Sequence, residues 1–201
     1  MTTDSWSSGR RAAALESIVG TAWELARENG LGGLTLRDLA RRLGMAPASL
    51  YSYIDSKNGL YDAMFAQGYR ALLAKDAPAH YDDLRTVLHN GVVFYVEFAL
   101  DDPVRFQLLS QRTIPGFEPS EQAYAVAQEA YDYAYSALTA AVEVIQEDLD
   151  LISAVVSGLI SQQIANDPGG TRWVRLVDDA VDLLVPRLEP RPKRPAPSGG
   201  R

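Results

Sequence analysis

Apolar residues repeat at intervals of three and four along most of this chain, which is the spacing of an amphipathic α-helix. The pattern predicts helices over 10–29, 36–43, 48–54, 57–75, 81–100, 103–111, 120–144, 149–166 and 171–185. Glycine and proline interrupt it between these segments, for example at Gly30 and at 167–170. No segment alternates apolar and polar residues as a strand does, so the sequence predicts an all-α fold.

Residues 35–57, with the sequence TLRDLARRLGMAPASLYSYIDSK, predict two short helices joined by a glycine turn. Thr35 is a favourable N-cap for the first helix, and Gly44 supplies the left-handed residue that ends it. Pro47 suits the first turn of the second helix, where its missing N–H has no cost. Leu50 would face inward. This arrangement is typical of a DNA-binding helix-turn-helix.

The outer face of the second helix carries the chemistry that DNA recognition needs. A helix that enters the major groove requires slim side chains near its N-terminal end, with hydroxyl and cationic groups beside them for phosphates. Ala48 and Ser49 meet the first requirement. The side chains that meet the second are Arg37, Tyr51, Tyr53 and Lys57. The alternative is a helical hairpin of an ordinary core with both tyrosines half-buried, but their position before a lysine favours DNA binding.

The stretch GGLTLRDLARRLGMAPASLYSYIDSKNGLYDAM resembles the TetR family of transcriptional regulators. It begins with Gly-Leu-Thr, continues with an Ala-x-x-Leu-Gly turn, and contains a Leu-Tyr-x-aromatic recognition helix followed by Ser-Lys. Some fifty residues, from near Arg11 to near Met64, carry the resemblance. The rest of the chain agrees with the family only in length and helical character.

The resemblance implies an N-terminal three-helix DNA-binding domain followed by a helical domain that binds an effector and dimerises. It also implies a homodimeric repressor that a small molecule releases from a palindromic operator. Thr35 and Arg37 would contact phosphate or a base edge. The bases would face Pro47, Ala48 and Ser49, and the DNA backbone would be held by Tyr51, Tyr53 and Lys57. Pro47 departs from the polar residue often found there, so readout at that position would depend on contact and shape.

The net charge of −7 is distributed unevenly along the chain. Residues 1–60 carry seven Lys/Arg against six Asp/Glu, residues 61–185 carry seven against nineteen, and residues 186–201 carry five against one. The acidity therefore belongs to the middle of the chain, and phosphate would not repel the helix-turn-helix. One weakly positive DNA-binding head makes too few phosphate contacts to bind tightly alone. We therefore expect two heads to act together.

Composition and charge suggest four segments. We expect a disordered N-terminus at 1–9, the helix-turn-helix domain at 10–56, an effector-binding and dimerisation domain at 57–185, and a disordered Pro/Arg-rich tail at 186–201.

Glu16 interrupts the apolar run after Arg10 and Arg11, which argues against a signal peptide. The longest uncharged run is too short and too polar to span a bilayer. We therefore expect a cytoplasmic protein. Cysteine is absent, so no disulfide is expected.

The last two predicted helices carry more apolar residues than one buried face needs. One face would pack within the chain and the other would meet a second copy; the alternative is burial on all sides within one chain. The resemblance implies pairing into a four-helix bundle, which would present two heads to a palindromic operator. The candidate interface residues are Ile152, Val155, Val156, Leu159, Ile160, Trp173, Val177 and Val181.

Aromatic residues are concentrated in the helices predicted over 81–100, 103–111 and 120–144. A buried tyrosine needs a hydrogen-bond partner, so such a cluster suits an aromatic or amphipathic small molecule. The alternative is an aromatic stripe of ordinary core. The candidate effector-binding residues, including nearby polar groups, are His89, Phe94, Tyr95, Phe98, Phe106, Arg112, Tyr124, Tyr131 and Tyr135.

Sequence patterns for catalysis are missing. His89 has no carboxylate at the i+3 or i+4 spacing of a helical metal site. There is no glycine-rich phosphate loop, and Ser157-Gly158 follows no predicted strand. We therefore expect no enzyme, no catalytic residue, no metal and no cofactor. Two other interpretations stay open: a helical scaffold that binds another protein without binding DNA and, with less support, an all-α enzyme.

Overall fold

The computed structural model describes residues 3–75 and 83–189, with side chains from residue 9 onward. Helices account for the regular structure of this part of the chain, which confirms the all-α class. They are α1 (Thr3–Gly33), α2 (Leu36–Arg42), α3 (Pro47–Tyr51), α4 (Lys57–Leu73), α5 (Leu84–Asp101), α6 (Pro103–Ser110), α7 (Glu121–Ala141), α8 (Gln146–Asn166) and α9 (Val177–Leu188). None of the helices described is long and apolar enough to cross a membrane.

The helices belong to two compact units. The first unit is drawn from residues 1–75 and 102–130, and contains α1 to α4, α6 and the first part of α7. The second unit is drawn from residues 76–101 and 131–201, and contains α5, the rest of α7, α8 and α9. The boundary expected between residues 56 and 57 therefore falls inside the first unit.

In the first unit, α1 packs against α2, α4 and α6. Ala22 and Ala26, both fully buried, allow close helix approach along α1. The carboxylate of Asp102 is also buried. It accepts a hydrogen bond from the guanidinium of Arg27 at 2.6 Å and forms an ion pair with that of Arg105 at 3.0 Å. A buried charge is tolerated when it is paired in this way. The Arg27 bond ties α1 to the first turn of α6.

In the second unit, α9 packs against α5 and α8. Its buried side chains recur at intervals of three and four, and they are Val177, Ala180, Val181, Leu184 and Leu188. The α8 side chains Ile152, Val156 and Ile160 are buried in the same unit. These helices form the core that holds α5 in place.

Two segments expected to be disordered are partly helical. α1 already begins at Thr3, because the segment before residue 10 contains no proline and Gly9 weakens a helix without ending it. α9 continues through Pro186 to Leu188, since the Leu188 side chain is buried in the core. Residues 190–201 of the expected tail, and Tyr81 at the start of one predicted helix, lie outside the described residues.

Candidate nucleic-acid interface

Local signals position α2 as the sequence predicts. The Thr35 hydroxyl oxygen accepts a hydrogen bond from the Asp38 N–H at 3.1 Å, which confirms the N-cap. Gly44 has a φ of +65° at the end of the helix. The Met45 N–H then donates to the Ala40 carbonyl at 2.9 Å, as in a Schellman motif. The turn before α3 is therefore set by its own residues.

The recognition helix α3 is shorter than predicted, since it ends at Tyr51 and not at Ile54. The Ser52 N–H and hydroxyl both donate to the Ser49 carbonyl, at 3.3 and 2.7 Å, and this local bonding ends the helix. Leu50 is buried, at 1% exposure, as its inward position predicts, and Ile54 is buried at 4%. Burial of these two side chains decides which face of α3 points outward.

The outward face of α3 contains four of the eight residues expected to meet DNA. Pro47, Ala48 and Ser49 are exposed, and the Tyr51 side chain is 54% exposed. Tyr53 follows the helix and is half-buried. These side chains are slim at the N-terminal end and hydroxyl-bearing beyond it, which suits entry into a major groove.

Arg37 is the available cation on α2. Arg41 forms an ion pair with Asp38 at 2.6 Å, and Arg42 forms one with Glu28 at 2.5 Å. The Glu28 carboxylate raises the pKa of Arg42 by hydrogen bonding and by its charge. Arg37 is exposed and bonds to no other described residue. Its guanidinium is therefore free to bind a phosphate or a base edge.

Lys57 is engaged within the protein. Its ammonium donates to the Gly32 carbonyl at 3.1 Å and lies 5.5 Å from the centre of the Tyr61 ring. The Tyr61 hydroxyl donates to the Leu31 carbonyl at 2.5 Å. Both side chains of α4 thus hold the segment that follows the break at Gly30, where φ is +73°. A phosphate contact by Lys57 stays a prediction, and it would use the remaining ammonium hydrogens.

Sequence reasoning missed Arg11, which lies 41 residues before Ser52. Its Nη2 atom donates to the Ser52 carbonyl at 2.9 Å, and its guanidinium carbon lies 5.2 Å from the centre of the Tyr53 ring. Together with Tyr51 and Ile54, these residues line a surface depression of about 310 Å³. No local spacing signals such a contact. The Arg10-Arg11 pair before an apolar helix was the only hint.

Three of the candidate effector-binding tyrosines interact in the second unit. The Tyr135 hydroxyl lies 2.8 Å from the Ser153 hydroxyl oxygen, and its ring centre lies 4.6 Å from that of Tyr131. Burial raises the pKa of Tyr135 to about 12, against the lowering effect of the Ser153 hydrogen bond. Tyr131 and Tyr95 raise this pKa further through their charge interactions with Tyr135. The phenols of α5 and α7 are thus near one another.

The other effector candidates lie in different surroundings. Phe98 in the second unit and Phe106 in the first unit are both buried, at 2% exposure. Phe94 is half-buried, and the His89 Nε2 atom lies 3.5 Å from the Asp178 carboxylate. Arg112 and Tyr124 of the first unit are exposed, and Arg112 pairs with Glu118 at 3.8 Å. The nine candidates are therefore divided between the two units.

The candidate dimer-interface residues fall into two groups, one buried within the chain and one partly exposed. Five of them lie in the core of the second unit, namely Ile152, Val156, Ile160, Val177 and Val181. For these residues the structure agrees with the alternative, burial within one chain. Val155, Leu159 and Trp173 keep part of their surface exposed. Leu183, 81% exposed, was missed although it lies off the buried stripe of α9.

Comparison with known proteins supports the assignment of the first unit. Residues 18–64 match the family model of bacterial regulatory proteins, tetR family. The HTH-type transcriptional regulator Rv1816 of Mycobacterium tuberculosis is 27% identical over 143 residues, which are 67% of this chain and 61% of that protein. The class D tetracycline repressor protein of Escherichia coli is 31% identical over 80 residues, 40% of this chain and 37% of the repressor. The match thus spans less than two thirds of these relatives.

The fold comparison extends to most of the chain. The crystal structure of a TetR variant from Acinetobacter baumannii AYE in complex with minocycline matches with a TM-score of 0.59 at 21% identity. The match covers 87% of this chain and 95% of that structure. The recognition segment and the family model agree: residues 18–64 match the TetR family of transcriptional regulators, and the solved TetR structure shares the fold of most of the chain.

Proposed function

We propose that this protein is a homodimeric repressor that binds a palindromic DNA operator and releases it when a small-molecule effector binds. The outward face of α3 is the observation that carries the proposal. Pro47, Ala48, Ser49 and Tyr51 point outward because Leu50 is buried behind them. No acidic residue lies on this helix. Such a face meets the steric and electrostatic requirements of a major groove.

Two heads are needed because each offers few free cations. Arg37 pairs with no other residue that the structure describes, whereas Arg41 and Arg42 are neutralised by neighbouring carboxylates. The affinity that comes from phosphate neutralisation grows with the number of cations in contact with DNA. A two-fold dimer doubles this number, and it presents two recognition helices about 34 to 36 Å apart along the duplex.

Exposed apolar side chains on α8 and α9 support self-association. Val155 and Leu159 are half-exposed one turn apart on α8, and Leu183 on α9 is largely exposed. Apolar surface of this kind gains free energy when it is removed from water. In a two-fold dimer, such a patch on one protomer packs against the same patch, or the one beside it, on the partner protomer. We therefore place the interface on the outer sides of these two helices.

The phenol cluster of the second unit supports an aromatic or amphipathic effector. Tyr135, Tyr131 and Tyr95 supply ring faces together with hydroxyl groups, and Ser153 supplies one more hydroxyl. Apolar walls with a few polar groups are typical of small-molecule sites. Suppose that the dimer has two states, and that in one of them the spacing of the two recognition helices does not match the operator. An effector that prefers this state lowers operator affinity by the ratio of its own affinities for the two states.

A selection experiment tests the proposal. Random double-stranded DNA is enriched on the full-length protein, and the affinity of the winning sequence is then measured by fluorescence anisotropy at several salt concentrations. We expect a palindromic sequence whose affinity falls steeply with salt. Tyr51→Ala should weaken binding without lowering the melting temperature, because Tyr51 is exposed. Failure to enrich any sequence, or enrichment that ignores Tyr51→Ala, would refute the function and favour a protein-binding scaffold.

A screen for stabilising ligands tests the effector part. A ligand that binds the native state raises its melting temperature, so thermal shifts against a library of metabolites and drugs identify candidates. Saturating operator DNA should then weaken effector binding by the factor by which the effector weakens operator binding. Equal dissociation constants with and without operator would show that the molecule is not an inducer.

A further inference from the structure

The recognition helix ends without the left-handed glycine that commonly terminates a helix. α3 has five residues, its C-cap is Ser52 in right-handed geometry, and no glycine follows that could adopt a left-handed conformation. A helix this short does not hold its own shape, because nucleation costs more than one turn of hydrogen bonds returns. Leu50 anchors its inner side. Its C-terminal end needs a further contact to stay in one position.

Arg11 of α1 supplies that contact with a single guanidinium group. Nη2 donates to the Ser52 carbonyl at 2.9 Å, which satisfies an acceptor at the C-terminal end of α3. The same group lies over the Tyr53 ring, 5.2 Å from its centre. A planar guanidinium can make both contacts at once, whereas a lysine ammonium would have to choose. The two contacts fix the backbone of Ser52 and the ring of Tyr53 relative to α1.

We propose that Arg11 is a positioning residue for DNA binding, which acts by holding the end of α3 and the Tyr53 ring in the binding geometry. This inference rests on the proposed function, because Tyr51 and Tyr53 are the side chains expected to hold the DNA backbone. The competing possibility is that Arg11 itself binds a phosphate. The two roles differ in a measurable way, since only a direct cationic contact releases counterions and changes the salt dependence of binding.

The first experiment needs no DNA. Amide hydrogen exchange is measured by NMR in the full-length wild type, Arg11→Ala and Arg11→Lys, with Arg10→Ala as the control that removes the same charge one residue away. The Tyr53 and Ile54 N–H groups donate to the Leu50 carbonyl just beyond α3. We expect both amides to exchange about tenfold faster in Arg11→Ala, which corresponds to the loss of a hydrogen bond and a ring contact. Arg11→Lys should show part of this effect.

The exchange experiment can overturn the proposal. Unchanged exchange at Tyr53 and Ile54 in Arg11→Ala would show that Arg11 does not hold this segment. Equal acceleration in Arg10→Ala would assign the effect to charge and not to the contacts. Faster exchange throughout α1 and α4 as well would mean general destabilisation. All three results contradict a positioning role.

The second experiment uses the selected operator and a double-mutant cycle. Arg11→Ala should weaken binding about tenfold with little change in the salt slope. The same substitution should cost less when Tyr53→Ala is already present, because one of the two contacts that Arg11 makes is then already lost. A slope shallower by about one unit, with additive losses in the cycle, would show that Arg11 binds phosphate and would overturn the proposal. If the wild type binds no operator, the proposed function fails, while the exchange experiment still decides the role of Arg11.

Discussion

The recognition segment, residues 35–57, and the α8–α9 pair bury similar side chains but expose opposite chemistry. On α3, Leu50 is buried while Ser49 and Tyr51 face water. On α8 and α9, apolar stripes are buried as well, yet Leu151 is 38% and Leu183 81% exposed. Folding requires the buried stripes in both regions. It does not explain the exposed residues, which in the function that we propose meet a polyanion in one region and an apolar surface in the other.

Two neighbouring valines on α8 separate the residues that folding requires from those that association would use. Val156 is 5% exposed and belongs to the core of the second unit, whereas Val155 keeps part of its surface in water. Successive residues on a helix point about 100° apart. The same substitution at these two positions therefore tests folding and association separately.

The largest effect is expected from Val156→Arg. A charged side chain without a partner in an apolar core costs several kcal/mol. We expect the free energy of unfolding, measured in urea by circular dichroism, to fall by this amount or the chain to become insoluble. A variant that kept wild-type stability would show that Val156 lies at a surface and that the division of α8 into two faces is wrong.

Val155→Arg should leave the protein folded and abolish the dimer. The charge would be desolvated only when two copies meet, so the penalty falls on association. Light scattering should report a monomer with an unchanged circular dichroism spectrum, and operator affinity should fall because one head binds alone. Ala140→Arg, at an exposed position of α7, is the control and should stay dimeric. A folded Val155→Arg dimer would place the interface elsewhere.

The same comparison shows how far the sequence predicts the structure. Thr35 and Gly44 act on backbone groups within a few residues of themselves, so their capping roles can be predicted from sequence and are confirmed. The outward direction of Pro47 and Ala48 follows from the spacing of buried Leu50. For α2, the glycine turn and the start of α3, short-range rules are therefore sufficient.

Long-range contacts were not predictable in this way. Five candidate interface residues, among them Ile152 and Val181, are buried because α8 and α9 pack in one unit with a third helix, α5, which begins more than 60 residues earlier. The Asp62 carboxylate accepts hydrogen bonds from Ser120, 58 residues later. Arg11 reaches Ser52 in the same manner. Hydrophobic periodicity shows which side of a helix is apolar, but not which other helix covers it.

A half-buried tyrosine, Tyr135, and an exposed one, Tyr51, extend the comparison to pH. Burial raises the pKa of Tyr135 from 10.0 to about 12, so the folded state holds the phenol proton more tightly than the unfolded state. The resulting stabilisation is complete below pH 10 and is lost as the pH rises through about 12. Over this window the wild type should lose about 2 kcal/mol of unfolding free energy relative to Tyr135→Phe. Urea titrations at several pH values measure this difference.

The control for the tyrosine prediction is Tyr51→Phe, which removes a phenol that is 54% exposed on α3. Because this ring lies outside the core, the variant should keep the wild-type melting temperature at neutral pH. A wild-type difference from Tyr135→Phe that stays constant up to pH 12 would show that the Tyr135 phenol is not desolvated. It would then belong to the surface, like Tyr51.

The smallest effect concerns two arginines on α2 that differ in pairing. Arg37 is exposed and bonds to no described residue, whereas Arg41 is held by Asp38 at 2.6 Å. Arg37→Ala should weaken operator binding about tenfold and make the salt slope shallower by about one unit, as expected for a lost phosphate contact. Arg41→Ala should change both less, because the Asp38 carboxylate already offsets its charge. Neither variant should lower the melting temperature by more than a degree or two, since surface ion pairs contribute about 0 to 1 kcal/mol. Fluorescence anisotropy titrations of both variants on the selected operator measure these affinities. A larger loss of operator affinity for Arg41→Ala would show that free charge on α2 does not decide which side chain meets the DNA.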